Sequence, residues 1–227
     1  RMNGAPSRAV GLLRPALFMA VLTGCICVSL LSFAFLPHML HMRMECRMSR
    51  MYPAYEDHSE QLRDYTRSSS PVMKKYSLRE YREMNAYMLN PLYDRPLSPI
   101  PVLFIPGNAG SFAQVRSMAS SAFYQYWNRW FEVPSDDMQD VPGPTAWFSI
   151  DFNEDFSAFH GKTLEDQAYY VNEVVRYLRA MYSRHGNMSV GIVGHSMGGI
   201  VARLALTLPN AEPSSIDTIV TLSTPHA

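Results

Sequence analysis

Cysteine is scarce in this chain and carries no framework. There are 3 in 227 residues: Cys25 and Cys27 sit inside an apolar run, and Cys46 stands alone, so neither metal-ligand spacing nor a disulfide scaffold is present. An excess of either charge is also lacking. The 20 basic and 20 acidic residues cancel, which argues against a nucleic-acid partner. No internal repeat is visible. From Pro15 to Leu36, "PALFMAVLTGCICVSLLSFAFL", charge disappears altogether. As a helix this run would reach ~33 Å, enough for a hydrocarbon core of roughly 30 Å. It exceeds the ~7–15-residue apolar region of a cleaved leader, and no A-x-A pattern follows. It therefore reads as an uncleaved anchor, with a leader or a buried core helix as alternatives. Arg1, Arg8 and Arg14 before it nearly balance Arg43, Arg47 and Arg50 after it, so the flanks do not orient it.

What remains divides into a basic tail (1–14), the anchor (15–36), a polar Tyr-, Met- and Pro-rich connector (37–99) and a compact domain (100–227). Within the connector "SLREYREMNAYML" (77–89) predicts a helix, with Ser77 as N-cap and Glu80 three residues on. From residue 102 the rhythm changes. "VLFI" (102–105), "AWFSI" (146–150), "SVGIV" (189–193) and "IDTIVTLS" (216–223) are short apolar runs of the kind buried in a parallel sheet. Helical stretches separate them at 112–131, at 163–182 with Thr163 as N-cap and Gly186 as stop, and at 197–208. Alternation of this kind predicts a mostly parallel sheet with helices on both faces.

One turn carries chemistry. Gly194-His195-Ser196-Met197-Gly198 fits G-x-S-x-G, the nucleophile elbow: a serine in a sharp strand-to-helix turn, with glycines where side chains would collide. The expected nucleophile is Ser196. Its oxyanion would be held by the backbone N–H of Met197 and by one from "VLFIPGNAGS" (102–111), with Asn108 the first choice and Ala109 the second; a plain Gly/Asn turn is the competing reading. His195 reads as a packing residue beside the site. The loop "DFNEDFSAFHG" (151–161) faces the same sheet edge, and its Asp151, Asn153 and Glu154, with Ala109 and His195, are candidates for substrate contact; a solvated loop is the alternative. Such folds run Ser, then Asp or Glu, then His. After Ser196 come only Glu212, Asp217 and His226. Asp217 opens its strand at the wrong end, and His226 follows too soon with no suitable acid before it. The acid and base are expected beyond Ala227, and because the chain begins with Arg1 rather than Met, its true start is expected upstream. Asn187-Met188-Ser189 is a glycosylation sequon, either used or accidental; if used, the C-terminal portion is lumenal or extracellular.

Several segments together, "CRMSRMYPAY" (46–55), "VLFIPGNAGS" (102–111), "DFNEDFSAFHG" (151–161), "VGIVGHSMGGIVAR" (190–203) and "TLSTPHA" (221–227), resemble the GPI inositol-deacylase family. The resemblance implies an α/β-hydrolase fold, here cut off after the strand that follows the nucleophile helix and preceded by a transmembrane helix. It implies a serine ester hydrolase of the endoplasmic reticulum membrane, with a lumenal catalytic portion, that removes the acyl chain from the inositol of GPI anchors. Ser196 matches the family's nucleophile; the family's acid and histidine have no matching positions here, so activity of this segment alone is not expected. Its substrates would be GPI-anchored proteins, with no metal or organic cofactor. A lipase, thioesterase or acyltransferase of the same fold and a non-catalytic form that binds GPI-anchored proteins are the rivals.

Overall fold

The computed structural model describes residues 18–33, 51–84, 100–132, 144–183 and 189–226. The chain divides into two compact units, Arg1–Met48 and Ser49–Ala227. In the first, residues 18–33 form helix α1 with exposed side chains, Cys25 and Cys27 among them as free thiols. Both ends of the expected 15–36 span lie outside the described residues, as do Cys46, Gly186 and Asn187. Among the described residues no helix is long and apolar enough to cross a membrane.

The second unit is built on six strands: β1 (Pro53–Asp57), β2 (Ser77–Glu83), β3 (Ile100–Ile105), β4 (Thr145–Asp151), β5 (Val190–His195) and β6 (Ile216–Leu222), in the order β1-β2-β4-β3-β5-β6. β2 runs antiparallel to both its neighbours. The β4–β3, β3–β5 and β5–β6 pairs are parallel. The helices are α2 (Ser59–Thr66), the single turn α3 (Val72–Lys75), α4 (Arg116–Glu132), α5 (Gly161–Tyr182) and α6 (Met197–Ala205).

Alternation along the central strands explains the two layers. Leu103 and Ile105 of β3 and Phe148 and Ile150 of β4 turn to one face, where Val171, Val174 and Leu178 of α5 and Val201 and Ala202 of α6 bury them, with Leu62 and Met73 from α2 and α3. Phe104 turns to the other face and meets Val115, just before α4, and Ala119 of α4. Each fully buried Leu, Ile or Phe contributes roughly 1.5–3 kcal/mol relative to exposure. The apolar positions of α5 recur at spacings of three and four, which is why one side of this helix covers the sheet. This mostly parallel sheet, covered on both faces, has the strand order of an α/β-hydrolase.

Three expectations are corrected here. Residues 53–83, read as part of a connector, supply two strands and two helices of the sheet unit, and Ser77–Glu83 is a strand instead of the start of a helix. Leu78 pairs opposite Ile150 and Tyr81 opposite Tyr55, and the two side chains enter opposite cores. Cross-strand packing outweighs a local helical signal of a few tenths of a kcal/mol per residue. Helix α5 also starts before the expected Thr163 cap. The Leu164 N–H already donates to the His160 carbonyl at 3.1 Å, closing a first turn, and Lys162 pairs with Asp166 at 2.9 Å.

Candidate active site

β3, β4, β5 and β6 run parallel, so their C-terminal ends share one edge. Backbone strain gathers there: Ala109 follows β3, Asn153 and Glu154 follow β4, Ser196 follows β5 and Ser223 follows β6, all with φ between 49° and 56°. Non-glycine residues in this region cost of order 1–3 kcal/mol each and persist only where the surroundings hold them.

The surroundings of Ser196 do so. With φ 51° and ψ −121° it sits between the end of β5 and the start of α6. Its N–H donates to the Leu222 carbonyl at 2.8 Å, and its carbonyl accepts from the Gly199 N–H at 3.2 Å. The Met197 N–H, at the first position of α6, has no acceptor inside its own helix and is part of the helix's positive end, directed out from the N-terminus.

Three glycines make the turn possible. A Cβ on Gly194 would lie 2.7 Å from the Gly199 backbone, one on Gly198 would lie 2.1 Å from the Ile105 carbonyl oxygen, and one on Gly107 would lie 2.9 Å from Ser196 Cβ. α6 is thus seated against the end of β3, while the loop after β3 passes directly over the serine. Gly199 matters too: its missing side chain makes room for Thr224, whose Oγ1 would be 2.1 Å from a Cβ there.

The loop after β3 is braced from several sides. Ser111 Oγ accepts from the Ala113 N–H at 3.2 Å, and Ser149 Oγ on β4 donates to the Phe112 carbonyl at 2.9 Å. The Gly110 N–H donates to the Gly107 carbonyl at 3.0 Å, and the Ala109 N–H donates to the Asp155 carbonyl at 3.1 Å. The Ala109 N–H is therefore committed, which removes the second-choice oxyanion donor. The Asn108 side chain accepts from the Ala158 N–H at 2.9 Å, holding its backbone beside Gly107.

Asp151, Asn153 and Glu154 shape the neighbouring loop. Asp151 Oδ1 accepts from the Asn153 N–H at 3.0 Å, the Asn153 amide donates to the Lys75 carbonyl, and Glu154 is exposed in a positive-φ turn. Asp155, which the sequence did not single out, is the keystone: its carboxylate pairs with Lys75 at 2.5 Å and accepts from the Tyr76 hydroxyl at 2.9 Å. The hydrogen bond to Asp155 raises the Lys75 ammonium, and burial pushes the Tyr76 phenol up to about 12. A carboxylate three residues into a turn has no signal of its own in sequence; only the fold brings Lys75 and Tyr76 to it.

The histidines and acids after Ser196 are otherwise engaged. His195 turns its Nδ1 inward, buried without a hydrogen-bond partner and 3.4 Å from where a Cβ on Gly107 would lie, so this atom does not meet substrate. His226 Nδ1 accepts from Arg203 at 3.1 Å, which leaves Nε2–H to donate to Thr221 Oγ1 at 2.9 Å. Glu212 is bound to Arg176 and Arg179 at 3.2 and 2.7 Å. Asp217 is exposed at the start of β6 and accepts from the Thr218 hydroxyl. Among the described residues no side chain hydrogen-bonds Ser196 Oγ. Glu56, His58 and Glu80 form a cluster of metal-ligand types away from this edge, but Arg82 already bridges Glu56 and Glu80 at 2.7 and 3.1 Å.

The arrangement offers a serine at a helix N-terminus under a braced small-residue loop, a form suited to acyl transfer. Comparison with known proteins agrees. The family model described as a PGAP1-like alpha/beta domain matches residues 96–227. Proteins named GPI inositol-deacylase from Debaryomyces hansenii, Chaetomium globosum and Schizosaccharomyces pombe are 43%, 44% and 40% identical over 80% of this chain. The matches cover 18%, 16% and 16% of those relatives' own lengths. Among solved structures, esterase 2 of Thermogutta terrifontis matches 79% of this chain and 57% of its own at 15% identity and TM-score 0.45, too slight a likeness to add to the topology.

Proposed function

The chain belongs to the PGAP1-like alpha/beta domain family, and from that premise we propose that it carries the nucleophile and oxyanion loop of a serine ester hydrolase acting on the acylated inositol of GPI anchors. The observation that carries this reading is Ser196, held at φ 51° on the N-terminus of α6 with Gly107 laid against it. The relatives' names supply the substrate class.

Ser196 Oγ attacks the ester carbonyl carbon, and its proton passes to a base that is not among the described residues. The Met197 and Asn108 N–H groups hold the oxyanion, each worth about 3–4 kcal/mol to the transition state. Collapse of the intermediate breaks the bond to the inositol oxygen, which takes the proton and leaves. Water then releases the fatty acid from Ser196. The apolar run at 15–36 supports a membrane anchor, and the sequon at Asn187 supports a lumenal face in the endoplasmic reticulum, where GPI-anchored proteins are the substrates.

The test uses cells lacking their own inositol deacylase, expressing the longest form that carries this sequence or its Ser196→Ala variant. Phosphatidylinositol-specific phospholipase C needs a free inositol 2-hydroxyl, so an acylated anchor resists it. Release of GPI-anchored proteins by the wild type and none by Ser196→Ala is the expected result. Equal release by both would remove Ser196 from the chemistry, and no release by either would remove the substrate.

A further inference from the structure

Two of the most exposed aromatic side chains in the described residues stand on the segment after β4 that is hydrogen-bonded to the loop lying over the nucleophile. Phe156 is 65% and Phe159 82% exposed. The segment that bears them is strapped at both ends to the oxyanion loop: the Asp155 carbonyl accepts from the Ala109 N–H at 3.1 Å, and the Ala158 N–H donates to Asn108 Oδ1 at 2.9 Å. Phe156 lies between these straps and Phe159 directly after the second. Below them Ser157 is buried, and Phe152 packs edge-on against Tyr76 with centroids 4.9 Å apart. The aromatic pair is therefore presented by a rigid support and not by a loose loop tip.

We propose that Phe156 and Phe159 form a platform for the fatty acyl chain of the ester and set the enzyme's preference for long chains; this rests on the ester-hydrolase reading above. A rigid exposed pair of rings gains from contact with something apolar, since burying apolar surface contributes roughly 25 cal/mol per Å². Of the two parts of an acylated inositol, only the hydrocarbon chain is apolar. Between the rings the surface is apolar: Ala158 is exposed and Ser157 is buried, and the nearby Lys162 ammonium is already bound by Asp166 at 2.9 Å. The straps place this apolar rim next to Asn108, so a chain leaving the carbonyl at Ser196 has the rings within reach.

The experiment measures kcat/KM of the longest form carrying this sequence on p-nitrophenyl butyrate and p-nitrophenyl decanoate, both below their aggregation limits. The enzymes compared are the wild type, Ser196→Ala, a Phe156→Ser/Phe159→Ser double variant and a Phe156→Leu/Phe159→Leu double variant. The decanoate-to-butyrate ratio should fall about tenfold or more with serine and stay within about threefold of wild type with leucine. An unchanged ratio in the serine variant overturns the platform. So does an unchanged ratio with loss of GPI-anchored protein release in cells, which would assign the rings to the bilayer. Wild-type turnover of neither ester, or turnover that survives Ser196→Ala, overturns the hydrolase reading instead and takes the platform with it.

Discussion

Gly107 and Ser196 are in contact so close that no side chain fits between them: a Cβ on Gly107 would stand 2.9 Å from Ser196 Cβ and 3.1 Å from the His195 carbonyl oxygen. The oxyanion loop and the nucleophile are thus registered by backbone against backbone. A single methyl group would force them apart by several tenths of an ångström. Displacements of about 1 Å near reacting groups cost on the order of a hundredfold in rate. Gly107→Ala is therefore expected to lose ten- to a hundredfold in kcat while its thermal midpoint falls by only a few degrees. Ester hydrolysis and a melting curve on the same preparation check this; near-wild-type kcat would show that the loop is not held by this contact.

Gly198 makes the opposite trade between activity and folding. The obstacle to a side chain there is the end of a central strand, with Ile105 and Pro106 carbonyl oxygens at 2.1 and 2.6 Å from a Cβ. Neither can yield without shifting β3 or lifting α6. Gly198→Ala should destabilise the whole sheet unit by about 3 kcal/mol or more, in the range of severe overpacking. Loss of soluble expression, or a midpoint at least about 6 °C below wild type, is the expected reading; an unperturbed melt would mean that α6 can slide on β3.

How far the sequence discloses this molecule depends on which residues one asks about. From Ile100 onward strands and helices are legible, because parallel strands buried on both faces are short apolar runs and α5 repeats its core positions every three or four residues. Ser196 is legible because G-x-S-x-G between a strand and a helix has few other uses. Ser77–Glu83 is not. Its half-buried Arg79 and Arg82, on opposite faces, pair across to Asp57 and Glu56 on β1, and its buried Leu78 and Tyr81 are justified only by strands and helices distant in the chain. Ser77 and Glu80 meanwhile imitate a capping box. Asp155 is hidden for a related reason, since its worth lies in Lys75 and Tyr76, which precede it by more than seventy positions.

The β1–β2 side of the sheet, away from the serine, predicts a response to acid. The His58 Nε2 stands 2.8 Å from Glu80, and its Nδ1 stands 3.2 Å from the Tyr177 hydroxyl. Burial alone would raise the Glu80 carboxyl, but the His58 hydrogen bond and the Arg82 charge outweigh it and hold it below the usual range. A carboxyl lower in the folded than in the unfolded chain binds fewer protons when folded. Its stabilisation is complete above the ordinary value of about 4.3 and drains away as pH falls through the folded value. Midpoints measured from pH 3 to 7 should fall more steeply below pH ~4.5 in the wild type than in Glu80→Gln. The variant should lie lower by a few degrees at pH 7, the cost of about 1–2 kcal/mol for a disrupted buried hydrogen bond. Parallel curves would detach Glu80 from the acid transition.

Ser196 itself predicts a separation of stability from function. Its φ of 51° and ψ of −121° suit glycine and strain every residue that has a Cβ. The strain persists because the Leu222 carbonyl holds the Ser196 N–H at 2.8 Å and the Gly199 N–H holds its carbonyl at 3.2 Å. Neither bond involves the hydroxyl, so removing the side chain leaves both in place. Ser196→Gly should therefore relieve of order 1 kcal/mol of strain, partly offset by the greater freedom of glycine in the unfolded chain. Ser196→Ala keeps the Cβ and relieves none. The expected order of thermal midpoints is Ser196→Gly at or above wild type and above Ser196→Ala by about 2–4 °C, with both variants devoid of ester hydrolysis. A glycine variant less stable than the alanine variant would show that the turn is comfortable for an L-residue, and that the geometry of the elbow is set by something other than strain held in check.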